Sequence, residues 1–278
     1  MERADYYFDS TESLHAQKSR TVISYDGRYH FHKNYEIYLF LSGNVDYYIE
    51  ENHYRLQRGH LIVMNDKEIH RVSVRDSFPY ERAVVHFDHR MVTMLNTPAT
   101  NVLSCFRDHQ PGIGNALVVD EDRLLSLCGK MEKLGEISKS AQYGSDVLLV
   151  ACLAELLVEV NEKFKESRAE VPNRTSGLVG EIIQYIGSNL DKKLTLEAIA
   201  EQFLIDKYYL SHLFREETGD TLYQYILIKK IAIAKRFLSA GKSVSEACVL
   251  AGFNDYNNFI RTFKKVAGMT PGKYVLRN

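Results

Sequence analysis

No part of the sequence approaches the ~18 consecutive apolar residues that a membrane-spanning helix needs, so no membrane association is expected. The start, MERADYYFDSTESLHAQ, has no apolar stretch behind a basic cap; it carries no visible secretion signal, and a cytoplasmic location is expected. Cysteine is sparse. Cys105, Cys128, Cys152 and Cys248 stand 23, 24 and 96 residues apart, none of them the short step of a zinc site. A chain of 278 residues buries a core without disulfides, so free and mostly buried thiols are expected. Tryptophan is absent, against 18 tyrosines. Catalytic signatures are missing too: there is no G-x-G-x-x-G after a strand, no Walker A loop, no H-E-x-x-H and no G-x-S-x-G elbow.

What is present is ordinary globular composition, 45% hydrophobic and 26% charged, which excludes a disordered or collagenous chain. The net charge of −1 hides a division. From Asn173 to Asn278 there are 15 Lys+Arg against 10 Asp+Glu, a net of +5, and residues 1–172 hold 20 against 26, a net of −6. A basic tail behind an acidic front suggests a polyanionic partner for the tail. FKESRAEVPNRTSG, residues 164–177, is polar, carries a Pro and a Gly and has no apolar period, so it reads as a linker between domains at 1–163 and 178–278.

From about Thr21 to Val92 the apolar pattern is short and alternating: EIYLFLSG, VDYYIEE, YRLQRGHLIVM, IHRVSV, RAVVHFD. Closely spaced strands with turn signals suggest an antiparallel barrel or sandwich. After Asp120 the period lengthens, and DRLLSLCGKMEKLGEI and DVLLVACLAELLVEVNEKF each carry a helical stripe. The second is apolar nearly all round at Val147–Leu157. Either a partner subunit covers its outer side, making the chain a homodimer, or it is the domain's central helix.

The last hundred residues repeat one arrangement. In TLEAIAEQFLIDKYYLSHLFREETG, Leu196, Ile199, Ala200 and Phe203 form a buried stripe, Ile205 plugs a turn, and Asp206 caps a second helix whose Leu210, Leu213 and Phe214 face the core. In SVSEACVLAGFNDYNNFIRTFKKVAG, Val244, Ala247, Cys248 and Ala251 match the stripe, Phe253 matches Ile205, and Asp255 caps the helix carrying Phe259 and Phe263. LYQYILIKKIAIAKRFLSAG between them predicts one helix over about Leu222–Ser239. Such a strut can hold two recognition helices near the ~34 Å separation of successive major grooves. The candidate base-reading residues are Tyr208, Ser211, His212, Tyr256, Asn257 and Arg261, and the second face also presents the apolar tip Ile260. Lys207, Arg215, Lys264 and Lys265 are placed for phosphates.

These stretches, with AGFNDYNNFIRTFKKVAGMTPGKY the most specific, make residues 178–277 resemble the DNA-binding domain of AraC/XylS-type transcriptional regulators. The resemblance implies an all-α tail of two helix-turn-helix units joined by a long helix, binding double-stranded DNA, with an activator role and contact to RNA polymerase. Departures are Cys248 for the usual Ala, Lys230 for the usual Arg, and Asn257-Asn258 for the common Ser-Tyr.

In HFHKNYEIYLFLSG, His30, His32 and Glu36 share parity, so one strand can aim all three to the same face, and His70 arrives from a later strand. Three imidazoles and a carboxylate make a first shell fit for Zn, Ni, Mn or Fe; they serve equally as polar contacts to a ligand or as a structural network. His86 and His89 are expected at a strand end, outside this group, and His15, His53, His60 and His109 have no assigned role. The spacing H-x-H-x3-E-x6-G, followed by Gly59 and His70, resembles the cupin barrel, with Asn65, Lys67 and Val74 departing from its second segment. The resemblance implies an α+β multidomain chain: an N-terminal cupin-like antiparallel β-barrel with following helices, acting as effector sensor, ahead of the all-α tail. Tyr38 and Phe40 share the histidines' parity, and hydroxylated rings suit a small polyhydroxylated effector, a sugar or oligosaccharide, as well as a plain core. The alternatives are a metal-dependent cupin enzyme fused to a DNA anchor, and a protein-interaction module without specific DNA binding. No enzymatic activity is expected, because no second catalytic group accompanies the candidate ligands.

Overall fold

The computed structural model describes residues 7–8, 13–22, 25–76, 78–166, 173–174, 177–192 and 194–277. The front half contributes β1 (Tyr7–Phe8), β2 (Leu14–Thr21), β3 (Tyr25–Asp26), β4 (Phe31–His32), β5 (Tyr35–Ser42), β6 (Val45–Ile49), β7 (Asn52–Arg55), β8 (His60–Met64), β9 (His70–Val74) and β10 (Tyr80–Phe87). Then come α1 (Arg90–Thr93), α2 (Ser104–Arg107), β11 (Ala116–Val118), α3 (Glu121–Ile137) and α4 (Ser145–Glu166). The rest is β12 (Asn173–Arg174), α5 (Gly177–Ser188), α6 (Leu196–Gln202), α7 (Lys207–Thr218), α8 (Leu222–Ser239), α9 (Val244–Leu250), α10 (Tyr256–Ala267) and α11 (Pro271–Arg277). Of the expected linker, residues 167–172 and 175–176 lie outside the described residues; α4 runs to Glu166, and Asn173–Arg174 pair with β7.

The cupin-like barrel is not what forms. Besides a two-stranded parallel pair of β1 and β4, the strands make two open five-stranded sheets, ordered β11-β8-β5-β10-β2 and β12-β7-β6-β9-β3, and among the described residues no ladder closes either one. The physical reason lies in β5, whose residues Tyr35–Leu41 are all buried. Its Tyr38 and Phe40 join Val45, Tyr47 and Ile49 of β6 in the cluster between the two sheets. Its Ile37, Leu39 and Leu41 face the opposite way, into a cluster with Leu127, Met131 and Leu134 of α3 and Leu153, Leu156 and Leu157 of α4. A strand apolar on both faces is a central layer, covered by a sheet on one side and helices on the other. The alternating segments fit barrel and sandwich alike, and this double burial selects the sandwich.

The helical half is organised by its caps. Asp206 accepts from the Tyr208 and Tyr209 amides and Asp255 from the Asn258 amide, so α7 and α10 begin one residue after each aspartate. Thr221 with Gln224, and Ser243 with Glu246, form capping boxes that start α8 and α9. Gly219 and Gly268 close α7 and α10 with φ of 75° and 70°. Phe214, Phe259 and Phe263 are fully buried in a cluster that also takes in Tyr29, Phe31 and Ile69 of the front half. All four cysteines are free and buried.

Candidate functional site

The two equivalent helices α7 and α10 carry equivalent outward faces. Capping fixes their first turns, and burial of Leu210 and Phe214, or of Phe259 and Phe263, fixes their rotation. Tyr208 is 75% and Tyr256 48% exposed, and His212, Arg215, Asn257, Arg261, Lys264 and Lys265 are exposed. Ser211 and Lys207 are half-buried, and Lys207 lies 3.6 Å from Glu197. His212 Nδ1 is 3.5 Å from Glu216, and Arg261 donates to the Asn258 side-chain oxygen at 3.4 Å. Ile260 is half-buried and packs against the core, so its tip is less available than expected. Between the units, α8 spans 18 residues, or about 27 Å at ~1.5 Å per residue. Each face can offer donors, acceptors and ring surfaces to a groove.

A second site lies between the two sheets, a cavity of about 450 Å³. His30, His32, Glu36, Tyr38 and His70, singled out from spacing, all line it, and Phe40 does not. His30 and His32 do not share one long strand with Glu36: His30 makes an isolated bridge to His70, and β4 ends at His32 before β5 begins. β10 supplies Tyr80, Arg82, Val84 and His86 to the same cavity, one face of an alternating strand.

Glu36 is the electrostatic centre. Its Oε2 lies 2.6 Å from His32 Nε2 and 2.9 Å from His86 Nε2, with His70 Nε2 at 3.7 Å. Burial alone would raise this carboxyl, but His86 and His32 hold it well below the usual carboxylate range. Burial pushes His30 down to about 4 and His70 well below the ordinary imidazole value, so both rings are neutral at pH 7. His32 Nδ1 faces the Asn34 carbonyl at 2.7 Å and its Nε2 faces Glu36, so the ring is held between two oxygens. His32, Glu36 and His86 present ligand atoms within 4.8 Å of one another, and this donor set fits a divalent metal. The set differs from the four residues taken from spacing: His86 enters, and His30 and His70 stand outside it.

His86 and His15 are the residues that spacing missed. β10 pairs with β5 so that His86 sits opposite Glu36, and β2 pairs with β10 so that His15 sits opposite His86. A row Glu36–His86–His15 thus crosses three strands. The parity of His86 with Val84 in VVHFD was the available signal; the pairing that brings it to Glu36 was not. His89 lies away from the cavity, stacked on Tyr35 with ring centroids 5.0 Å apart.

Residues 20–127 match the AraC-like ligand binding domain family, and residues 199–277 match a helix-turn-helix domain family. The chain is 23% identical over 287 residues to the melibiose operon regulatory protein of Escherichia coli (strain K12), covering 94% of this chain and 89% of that protein. It is 32% identical over 98 residues to the multiple antibiotic resistance protein MarA of the same strain, covering 35% of this chain and 77% of that protein. A solved structure of ToxT from Vibrio cholerae O395 aligns with a TM-score of 0.38 at 14% identity, covering 95% of this chain and 98% of that one.

Proposed function

The chain belongs to the AraC/XylS family of DNA-binding transcription factors, its matched domains are of a non-catalytic type, and from that footing we propose that it is an effector-responsive activator whose two helix-turn-helix units read successive major grooves. The observation that carries this reading is the repeat: two capped, glycine-closed helices with outward polar faces, tied by one continuous helix. Tyr208, Ser211, His212, Tyr256, Asn257 and Arg261 read bases, and Lys207, Arg215, Lys264 and Lys265 hold phosphates. Residues 1–163 form the sensing and pairing domain, 164–177 the linker and 178–278 the DNA reader. No helix among the described residues is long and apolar enough to cross a membrane.

The effector occupies the cavity around His30, His32, Glu36, Tyr38 and His70. Its hydroxylated rings and acceptors suit a sugar, and similarity to a regulator named for the melibiose operon supports that class. His30 and His70 adjoin Tyr29 and Ile69, which pack on the helical half, and the Tyr29 amide donates to Asp220 at 2.9 Å. A ligand that touches the two histidines therefore acts beside the contact it must bias. His32, Glu36 and His86 would hold a divalent cation there, which would supply a charge for orienting hydroxyl groups. On α4, Val147 and Leu148 are exposed beside Ala151 and Val158, a stripe through which two chains pair. Contact with RNA polymerase completes the activator reading.

Selection from a random duplex library, followed by fluorescence anisotropy at several salt concentrations, tests the DNA reading. A bipartite site should emerge, with His212→Ala and Arg261→Ala each losing discrimination at its own half by about 1–3 kcal/mol. Binding that depends on salt and ignores sequence would overturn it. Dialysis against Zn, Ni, Mn or Fe should leave one equivalent of metal on the full chain and none on Glu36→Gln. Heats of binding across a carbohydrate panel should pick out one sugar, and none at all would remove the sugar assignment.

A further inference from the structure

A second cavity of about 440 Å³ lies away from the histidines, between the β8–β9 turn, the segment from Phe106 to Pro111, and the C-terminal end of α8. Three cations line it, Lys67 and Arg107 from the front half and Arg236 from α8. The Lys67 ammonium has no hydrogen-bond or ion-pair partner among the described residues, although its residue is half-buried. Among the described residues Arg107 spends only its Nε, on the Tyr35 hydroxyl at 3.4 Å. Arg236 gives one nitrogen to Glu50 and to the Lys67 carbonyl, while its buried Nε has no partner among the described residues.

Each acid nearby is engaged through at least one carboxylate oxygen. Glu68, the carboxylate that lines the cavity, accepts from His109 Nε2 at 3.0 Å, Asn115 at 2.9 Å, and the Gly112 and Asn65 amides at 3.3 and 3.1 Å. Asp66 Oδ2 pairs with Lys235 at 3.1 Å and accepts from Tyr274 at 2.8 Å, and its buried Oδ1 has no hydrogen-bond partner among the described residues. Glu50 is shared between Lys229 and Arg236. Burial, with Arg107 and Arg236 nearby, lowers the Lys67 ammonium against the pull of Asp66 and Glu68. The carbonyl end of α8 weakly opposes an anion, and three convergent cations outweigh that partial charge.

We propose that this cavity binds a small molecule carrying a doubly charged oxyanion, a phosphate ester or a dicarboxylate. Arg107 offers its two terminal nitrogens as a donor pair, Arg236 adds its remaining terminal nitrogen, Lys67 adds a point charge, and Pro111 gives the body of the ligand an apolar rest. The site is separate from the effector cavity between the sheets. Because Lys67 and Arg107 belong to one half and Arg236 to the other, an anion here joins the two halves and favours their docked arrangement.

The test uses the full chain, melted in increasing inorganic phosphate with chloride holding the ionic strength constant, and in parallel with malonate. The expected result is a saturable rise in Tm, about 3–5 °C at ten times the dissociation constant. The anion that acts names the source, phosphate or carboxylate. The rise should disappear in Lys67→Gln/Arg107→Gln and persist in Lys139→Gln, whose exposed charge sits in the connection between α3 and α4 and does not line the cavity. Should the double variant melt abnormally, phosphorus NMR line broadening of inorganic phosphate on Lys67→Gln alone gives the same comparison. No saturable response to either anion overturns the proposal. So does a response that survives loss of both cations, which would put the anion on the DNA-reading helices instead.

Discussion

Asp220, in the turn between α7 and α8, is a buried carboxylate held by one hydrogen bond. Its Oδ2 accepts from the Tyr29 amide, and its Oδ1 has no partner among the described residues. Burial pushes its pKa from 3.8 up to about 6, with the Tyr29 amide, Arg28 and Arg71 pulling only partly back. A carboxyl raised in the folded state contributes stability that is full below about pH 4 and is lost as the pH rises through about 6. At neutral pH the cost is about 3 kcal/mol at ~1.4 kcal/mol per unit. Asp220→Asn keeps an oxygen for Tyr29 and removes the charge. It should raise Tm at pH 7.5 and have little effect at pH 4; denaturation curves at the two values check this, and an equal effect at both would remove the electrostatic account. Single residues were the least legible part of the sequence. His30, His32, Glu36 and His70 reach one cavity as their types and spacing suggested, but the partner that sits beside Glu36 is His86, and only strand pairing brings it there.

At the scale of elements, the two helix-turn-helix units share a left-handed backbone position and fill it with different residues. The residue before the turn plug is left-handed in both, Gly252 with φ of 74° and Leu204 with φ of 54°. A Cβ on Gly252 would meet the Leu190 carbonyl oxygen at 2.0 Å as well as the backbone strain, so Gly252→Ala should cost 3 kcal/mol or more, on the order of a severe core defect. Leu204 is 92% exposed and loses no packing when removed. Leu204→Gly should therefore stabilise by about 0.5–1 kcal/mol, the relief of strain less the added chain entropy, read from urea midpoints. Stabilisation of the first unit by Gly and its collapse on replacing Gly in the second would show that both turns need the same conformation. The tail was legible because its signals are local: a cap, a stripe of four apolar residues and a closing glycine lie within one unit, and α8 runs from Leu222 to Ser239 as its pattern indicates. The front was half legible. Alternation located the strands, but closure into a barrel or opening into two sheets depends on what covers the second face of β5, and α3 and α4 do that from about a hundred residues away.

At the scale of the molecule, the charges of α8 hold the two halves together. Lys229 and Lys235 are almost fully buried, and each meets an acid of the front half, Lys229 with Glu50 and with Glu51 at 3.3 Å, Lys235 with Asp66 at 3.1 Å. Tyr274 donates to the same Asp66 at 2.8 Å, and Arg277 reaches Asp88 at 2.9 Å. In the sequence, KK and KR on a long helix look like a solvated face, since nothing local points to partners some 170–180 residues earlier. Glu50 carries a further mark, a φ of 57° at a non-glycine residue, so its backbone is held in a disfavoured conformation while its carboxylate is buried against α8. Removing one member of a buried pair leaves the other charge desolvated, which costs about 3–5 kcal/mol. Asp66→Asn should therefore weaken docking without unfolding either half: calorimetry should resolve the single transition into two, and hydrogen exchange should quicken along the face of α8 that carries Lys229 and Lys235. The exposed DNA-reading residues of α7 and α10 make none of these contacts, so the intrinsic affinity of the tail for DNA should survive, and the change should appear as a loss of effector dependence. A variant that keeps one transition within about 1 kcal/mol of the parent would mean that apolar packing of Tyr29, Phe31 and Ile69, not the ion pairs, holds the halves together.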